Sequence, residues 1–186
     1  MLAPPMAGLG ERVFDNQNGF EYWSAPRLQL AALLGFVALA LLAGFASASV
    51  ALVNMRGWYG GLTPPHLAPV APFAAAGWGL LGILYVLMAV AAWRVWRRMT
   101  PVADQRSALN AWGWQLAIGA AWPAVFFGFH DLLPALIIAG ALVAVVGLTV
   151  WRFSRLDGVA AILLAPYLAW AGFAGYLSAG FWWFNH

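Results

Sequence analysis

Five long apolar runs, separated by short polar stretches, dominate the chain. They cover approximately residues 28–53, 70–93, 108–127, 132–150 and 159–183. Each is close to the roughly 20 residues that an α-helix needs to cross the hydrocarbon core of a bilayer. Backbone groups in lipid must pair within a helix or a closed barrel, and barrel strands are about half this length, so all five runs are predicted to be helices. The pattern therefore predicts an all-α, polytopic membrane protein, folded as a five-transmembrane-helix bundle.

The first 26 residues break this pattern because they are polar. They include Glu11, Arg12, Asp15, Asn16 and Glu21, and they lack the basic start and short apolar core of a secretory signal. We therefore expect two parts, a polar N-terminal tail over residues 1–26 and a five-helix transmembrane domain over residues 27–186.

The composition indicates that the lipid bilayer is the main partner of this chain. Apolar residues make up 64% of its 186 residues and charged residues 8%, against roughly 25% charged residues in soluble domains. The basic residues are all arginines that flank the apolar runs, which membrane orientation explains, so no nucleic-acid partner is predicted. The chain has no cysteine, which excludes disulfides and thiolate metal sites.

The arginines also indicate how the bundle is oriented. One side holds eight of the nine: Arg12, Arg27, Arg94, Arg97, Arg98, Arg106, Arg152 and Arg155. The other side holds only Arg56, so the N-terminus is predicted to be cytoplasmic and the C-terminus to lie on the opposite side. For Arg94, Arg97 and Arg98, binding of an anionic head group is an alternative to a role as orientation signal. The arginine-only, alanine-rich usage suggests a bacterial source.

Two of the runs carry small residues at four-residue spacing. These residues are Gly113, Ala117 and Ala121 in the third run, and Ala171, Gly175 and Ala179 in the fifth. Small side chains let helices approach closely in lipid, where the hydrophobic effect does not drive association. The stripe in the third run is a candidate homodimer seam, and packing within one monomer explains it equally well.

The search for catalytic groups excludes several classes of protein. No Asp, Glu or Lys lies inside any run, which argues against a proton-coupled pump or an ion channel. His66, His130 and His186 show no metal-ligand spacing, so no metal is predicted, and a haem-ligand role for one of them is a minor alternative. No nucleophile and base stand at a recognisable spacing, so no catalytic residue and no resident cofactor are assigned.

The twelve tryptophans are unusual, and one of them is not explained by the interfacial belts typical of membrane proteins. Trp170 lies about halfway along the fifth run. Helical spacing puts aromatic residues at the ends of one face and small residues between them: Tyr167, Trp170, Ala171, Ala174, Leu177, Ser178 and Phe181. Such a face is suited to a flat ring. Packing inside the bundle is the alternative.

Four motifs follow one another along the chain after residue 50. They are WYGGLTPP at 58–65, LYVLMAVAAWRVWRR at 84–98, QLAIGAAWPAVFFGFH at 115–130 and PYLAWAGFAGYLS at 166–178. Together they resemble the translocator protein family, also called TspO, peripheral benzodiazepine receptor or tryptophan-rich sensory protein. The resemblance implies five helices, frequent dimers and a pocket beneath the loop that joins helices one and two. It also implies porphyrins and other tetrapyrroles among the ligands.

By this resemblance, Trp58 and Tyr59 belong to a lid over the pocket, Tyr85 to its wall on helix two, and Trp170 and Ala174 to its wall on helix five. The complete candidate set for ligand binding is Trp58, Tyr59, Trp78, Tyr85, Phe126, Tyr167, Trp170, Ala174 and Ser178.

Some positions depart from the family pattern. Leu81 stands where a Trp usually precedes the aromatic at Tyr85 by four residues, although Trp78, seven residues before it, can share its helix face. Gly119 and Ser178 stand where many members have Asn. The pocket is therefore expected to be less polar than is usual in the family.

These observations predict a membrane tetrapyrrole-binding protein that acts in transport, sensing or stress regulation, with porphyrin or haem as the candidate ligand. Two alternatives stay open. One is an enzyme that degrades porphyrin with light and oxygen, and the other is a membrane assembly protein that has kept the fold without the ligand.

Overall fold

The computed structural model describes residues 26–54, 57–66, 71–98 and 102–186, with residues 71–78 as backbone only. This part of the chain forms five long helices and no strand. They are α1 Pro26–Asn54, α2 Ala71–Trp96, α3 Val102–Pro123, α4 Leu132–Leu156 and α5 Gly158–Asn185. The prediction of an all-α five-helix bundle is confirmed. The predicted tail over 1–26 lies outside the described residues apart from Pro26, which begins α1.

Four of the five helices are long and apolar enough to cross a membrane by themselves: α1, the Gly79–Trp96 part of α2, α4 and α5. The less apolar α3 begins at Val102, six residues before the predicted start at 108. Its first residues include Asp104, Gln105 and Arg106, which hydropathy assigned to a loop. Gln105 donates to the carbonyls of Val95 and Arg98, both at 3.1 Å, and so links the start of α3 to the end of α2.

The helices pack in the ring order α1, α2, α5, α4, α3 and back to α1, and the largest contact is between α4 and α5. Fully buried apolar side chains fill the centre, among them Met88, Val95, Val146, Phe153 and Leu164. Many other large apolar side chains face outward on the same helices. An apolar exterior around a packed centre is what a bundle in lipid requires, so the chain is an integral membrane protein.

The end of the bundle that holds Pro26, Trp96, Val102, Leu156 and Gly158 is called the arginine end below. Its arginines were predicted to lie in loops, but several of them lie inside helices, near the helix ends: Arg94 in α2, Arg106 in α3, and Arg152 and Arg155 in α4. Helix ends reach into the polar interface, where charged groups are tolerated without a loop. The side of the membrane that this end faces stays a prediction.

Two of these arginines bind a carboxylate of the protein. Arg94 and Arg98 lie 3.1 and 2.9 Å from Oδ2 of Asp157, which is 3% exposed in the turn between α4 and α5. Arg97 instead lies over the ring of Trp93, 4.4 Å from its centre. The shared carboxylate ties the end of α2 to the start of α5.

At the opposite end, called the loop end, α3 does not stop cleanly. Pro123 has no N–H to continue the helical ladder, and the next turn, Ala124–Gly128, is a π-helix. This segment buries two consecutive aromatic residues, Phe126 and Phe127. Two residues after this segment, His130 adopts a left-handed backbone conformation with φ of 58°.

Gly44 leaves room on α1 for the ring of Tyr85 on α2. A β-carbon at Gly44 would lie 2.7 Å from two ring atoms of the buried Tyr85. We expect Gly44→Ala to lower the free energy of unfolding by about 1–3 kcal/mol, the usual cost of overpacking. Thermal unfolding in detergent measures it, with Gly35→Ala as control because nothing lies within 4 Å of a β-carbon there. Equal melting of the two variants would contradict this account of the contact.

Candidate functional site

The described part of the loop between α1 and α2, residues 57–66, is not α-helical. Gly57 has φ of +93°, a conformation that residues with a side chain rarely adopt. A short 3₁₀ turn, Tyr59–Gly61, follows, and the chain then becomes extended towards Pro64 and Pro65. Pro65 is buried, although it lies in a loop.

Three contacts with α5 hold this loop. The Asn185 side chain accepts from the Thr63 N–H at 2.7 Å and donates to the Thr63 carbonyl at 3.0 Å. The Tyr176 hydroxyl donates to the carbonyl of His66 at 2.7 Å. Between these bonds, the ring of Pro65 lies where a side chain at Gly180 would be, because a β-carbon there would come within 2.4 Å of it. The loop therefore lies closed on α5.

Six aromatic side chains meet beneath the loop, and we call them the loop-side cluster: Trp58, Tyr59, Trp122, Phe126, Phe127 and Phe181. Phe126 is at the centre and 2% exposed. Its ring lies 5.3 Å from Trp122, 5.6 Å from Phe181 and 5.7 Å from Trp58, between centroids. The ring of Tyr59 closes the cluster 5.3 Å from that of Phe181. Such edge-to-face and offset contacts each add about 0.5–1.5 kcal/mol beyond the burial of area.

Two consecutive hydrogen bonds connect the loop-side cluster to the backbone of α5. The indole N–H of Trp122 donates to the Ser178 hydroxyl at 3.1 Å, and that hydroxyl donates to the Ala174 carbonyl at 2.8 Å. Ser178 is 1% exposed. Its hydroxyl therefore gives the half-buried indole of Trp122 the hydrogen-bond acceptor that a Trp in an apolar site requires.

A second group of candidate residues lies deeper in the bundle. The rings of Tyr85 on α2 and Tyr167 on α5 lie 6.2 Å apart, and both side chains are buried. Trp170 is half-buried and packs against the same core, with its ring 6.0 Å from that of Phe173. The Tyr167 hydroxyl lies 3.1 Å from where Gly119 would carry a β-carbon. It therefore fills the space that the Asn common in the family at this position would need.

The structure thus divides the predicted site residues between two places. Trp58, Tyr59 and Phe126 meet in the loop-side cluster, and Ser178 joins them through Trp122. The remaining assigned side chains, Tyr85, Tyr167 and Trp170, belong to the deeper core, and Ala174 lies on α5 between the two. The side chain of Trp78 lies outside the described residues.

Trp122 and Phe127 belong to the loop-side cluster but are absent from the predicted site residues. Both lie in the third motif, but an apolar run gives no sign of which of its aromatics face inward. Pro123 is the residue that could have indicated them. A proline inside a helical run interrupts the backbone hydrogen bonds of the helix and so changes which residues face the core.

The loop-side cluster is uncharged. Burial raises the pKa of Tyr59, so its hydroxyl stays protonated at neutral pH. The three histidines lie apart: His130 beside Trp58 at 4.5 Å between ring centroids, His186 stacked on Trp182, and His66 engaged through its carbonyl. Among the described residues, no three His, Cys, Asp or Glu side chains lie close enough to hold a metal ion. The arrangement suits an apolar, flat ligand.

The candidate dimer stripe lies on the outer face of α3. Gly113, Ala117 and Ala121 are all exposed. Their exposure leaves them open to a second copy or to lipid, so the homodimer stays a prediction.

Fold and site together define a class: a five-helix membrane bundle with an aromatic cluster closed by a tethered loop. The family model described as TspO/MBR family matches residues 36–184, and the chain belongs to this family. Both groups of described site residues fall inside the matched range. The predicted family resemblance is confirmed.

Relatives from animals and bacteria agree with this assignment. The translocator protein of Bos taurus is 31% identical over 153 residues, which cover 80% of this chain and 87% of the relative. The tryptophan-rich sensory protein of Cereibacter sphaeroides is 34% identical over 121 residues, covering 65% and 72%. The tryptophan-rich protein TspO of Chlorobaculum tepidum is 28% identical over 150 residues, covering 81% and 93%.

Proposed function

We propose that this protein binds a tetrapyrrole of the porphyrin type between the loop and the helices at the loop end. The observation that carries the proposal is the loop-side cluster itself. Aromatic residues of the loop, of α3 with its π-segment, and of α5 converge there on the buried Phe126. Flat conjugated rings stack on such side chains, and a few convergent polar groups fix their orientation. Trp122 and Ser178 supply those polar groups.

The closed loop is compatible with ligand entry. It is tied to α5 by hydrogen bonds with Asn185 and Tyr176 that lie at exposed positions, where water competes for the same groups. The loop can therefore open without breaking a buried network. A ligand would enter beneath it and replace ring–ring contacts within the cluster by contacts with its own plane.

Transport and sensing are the two physiological roles that fit such a binding protein. The relatives named translocator protein and tryptophan-rich sensory protein motivate both roles for this chain. Each role requires a saturable site, so the binding experiment comes before any experiment that separates them.

The test is a titration of the purified protein with protoporphyrin in the dark, followed by quenching of tryptophan fluorescence. Parent protein is compared with Tyr59→Leu for the loop-side cluster and Trp170→Phe for the deeper wall. Tyr59 contacts three aromatic rings. We expect the parent protein to saturate at a fixed ratio of porphyrin to protein. Loss of the contacts between the Tyr59 ring and the porphyrin, about 1.4 kcal/mol, corresponds to a tenfold higher Kd, so Tyr59→Leu should bind roughly tenfold more weakly.

Trp183→Phe is the matched control, because Trp183 is 66% exposed near the end of α5 and belongs to neither group. A tenfold loss in Trp170→Phe with Tyr59→Leu unchanged would move the ligand to the deeper wall. Linear quenching without saturation in every protein would mean that porphyrin only partitions into detergent. In that case the assembly role would replace the proposed function. Product formation on illumination, faster than with free tryptophan, would favour the degrading enzyme.

A further inference from the structure

An open groove of about 360 Å³ runs between α3 and α4 from the arginine end towards the middle of the bundle, and none of its lining residues belongs to the loop-side cluster. Its polar end is lined by Ser107, Asn110 and Arg152, and its apolar end by Trp114, Ile118 and Leu148. From residue 107 to residue 118, at 1.5 Å per helical residue, the groove follows about 16 Å of α3. A membrane lipid has the same arrangement, a polar head group followed by an apolar acyl chain. The length of the groove suits most of one acyl chain.

The polar end carries a positive charge without a carboxylate partner. Arg152 is half-buried, and its Nη1 donates to the Ser107 carbonyl at 2.8 Å. Both ion pairs in the described part of the chain use Asp157, with Arg94 and Arg98. The guanidinium has five N–H donors, so further donors of Arg152 are available to a ligand in the groove. The exposed Arg106, near the start of α3, adds a second positive charge at this end.

The apolar end offers a ring to an acyl chain. Trp114 is 66% exposed, and together with Ile118 and Leu148 it forms the apolar lining of the groove. The large ring of an exposed Trp gives an acyl chain more apolar contact area than an aliphatic side chain would. The two ends together therefore select an amphipathic molecule over a small anion.

We infer that this groove binds an anionic phospholipid of the surrounding leaflet. The Arg152 guanidinium and the Asn110 amide hold its phosphate, and one acyl chain lies along Trp114, Ile118 and Leu148. The positive charge of the arginine end favours an anionic lipid over a zwitterionic one, because no carboxylate among the residues that line the groove offsets it.

The experiment is native mass spectrometry of the full chain, released from detergent with equal amounts of dioleoyl phosphatidylglycerol and dioleoyl phosphatidylcholine. We expect the parent protein to retain phosphatidylglycerol at least fivefold more often. Arg152→Gln should abolish this preference. Arg155→Gln is the matched control, because Arg155 lies on the same helix end, is exposed, contacts Trp151 and does not line the groove. It should keep the preference.

Leu148→Trp tests the acyl end while Arg152 stays in place. The larger ring fills the groove, so retention of phosphatidylglycerol should fall several-fold, and this variant decides the question if Arg152→Gln does not fold. Equal retention of the two lipids by the parent, or an equal loss in Arg155→Gln, would overturn the inference. Displacement of the lipid by millimolar glycerol 1-phosphate would also overturn it, since the site would then bind the head group alone.

A second copy of the chain is the other occupant that the groove could accept, because the exposed stripe of α3 lies nearby. The chain has no cysteine, so Val145→Cys introduces a single thiol into the lining of the groove and leaves Arg152 and Asn110 in place. Efficient disulfide cross-linking between copies in the membrane would mean that protein covers the groove, and would refute the lipid site. Labelling of that thiol as a monomer, blocked by phosphatidylglycerol, would support it.

Discussion

Asp157→Ala is expected to lower the free energy of unfolding by about 3 kcal/mol, the low end of the range for removing one partner of a buried ion pair. Asp157 is 3% exposed and holds both Arg94 and Arg98. Arg98 is about half exposed, so water replaces much of what it loses, and most of this cost arises at the less exposed Arg94. The Arg94 charge would remain close to the protein core without its partner.

The same carboxylate begins α5. One oxygen of Asp157 accepts from the N–H groups of Val159 and Ala160, at 2.9 and 3.1 Å. Loss of such an N-cap costs about 0.5–2 kcal/mol. Asp157→Asn keeps a capping side chain and removes the charge, so it should fall between the parent and Asp157→Ala and separate the two contributions.

Thermal unfolding measures both variants, and Asp131→Ala is the matched control. Asp131 is also the N-cap residue of a helix, but it is exposed and makes no side-chain cap bond. At roughly 2–4 °C per kcal/mol for a chain of this length, Asp157→Ala should melt about 10 °C lower and Asp131→Ala within about 2 °C of the parent. Similar melting of the two alanine variants would show that the buried pairing contributes nothing.

The stabilisation by Asp157 should depend on pH in one direction. Burial by itself raises the pKa of Asp157, but hydrogen bonds from Arg98, from the Ala160 amide and from Arg94 outweigh it and lower the pKa below its ordinary value of 3.8. A carboxyl with a lowered pKa in the folded state stabilises the fold above the unfolded value and loses this effect as the pH falls through the folded one. The stability difference between parent and Asp157→Ala should therefore persist down to about pH 4 and shrink below it.

Gly180→Ala is expected to open the loop from α5, the second large effect. The added methyl group would lie 2.4 Å from the β-carbon of Pro65, and a proline ring cannot rotate away. The loop must shift by about 1 Å or more, because carbon atoms attract only at about 3.5–4.0 Å. Such a shift strains the paired hydrogen bonds between Asn185 and Thr63.

Cysteine labelling measures this opening. Leu62 packs partly buried against the loop-side cluster, and Leu62→Cys supplies the single thiol in an otherwise cysteine-free chain. In the Gly180→Ala background its reaction with a water-soluble maleimide should be about tenfold faster, which corresponds to about 1.4 kcal/mol easier opening. Gly172→Ala is the matched control, on the same helix and with nothing within 4 Å of its added carbon.

If labelling is equally slow in both glycine variants, the contact between Pro65 and α5 does not hold the loop. If the loop opens and protoporphyrin binding is unchanged, the loop is not needed to retain the ligand. The two readouts thus separate the geometry of the loop from its proposed role.

Boundaries of the helices show where sequence reasoning succeeded and where it failed. The fourth run was predicted to begin at residue 132, which is where α4 begins, because Asp131 separates it sharply from the previous segment. The start of α3 was misplaced by six residues, because its first turn is polar at the membrane surface. Hydropathy reports the part of a helix that lies in lipid, and a helix can begin before it.

The candidate site was predictable only in part, for a related reason. Trp58, Tyr59 and Phe126 were assigned from motifs and do meet, whereas Trp122 was not assigned although it stacks on Phe126. Tyr167 and Trp170 share the predicted face of α5 with Ser178, but they belong to a different packing group. An aromatic residue in an apolar run has the same local pattern whether it faces lipid, the core or a ligand.

The run lengths and motifs of the sequence are enough to identify a bundle of membrane helices of the TspO/MBR family, because apolar length and backbone hydrogen bonding are local properties that lipid makes compulsory. Contacts between distant residues depend on the folded chain: Arg94 meets Asp157, 63 positions away, and Thr63 meets Asn185, 122 positions away. The tertiary structure also decided which aromatic rings gather beneath the loop and where a charged groove opens between α3 and α4. These contacts depend on the ring order and rotation of the helices, and packing between helices sets both.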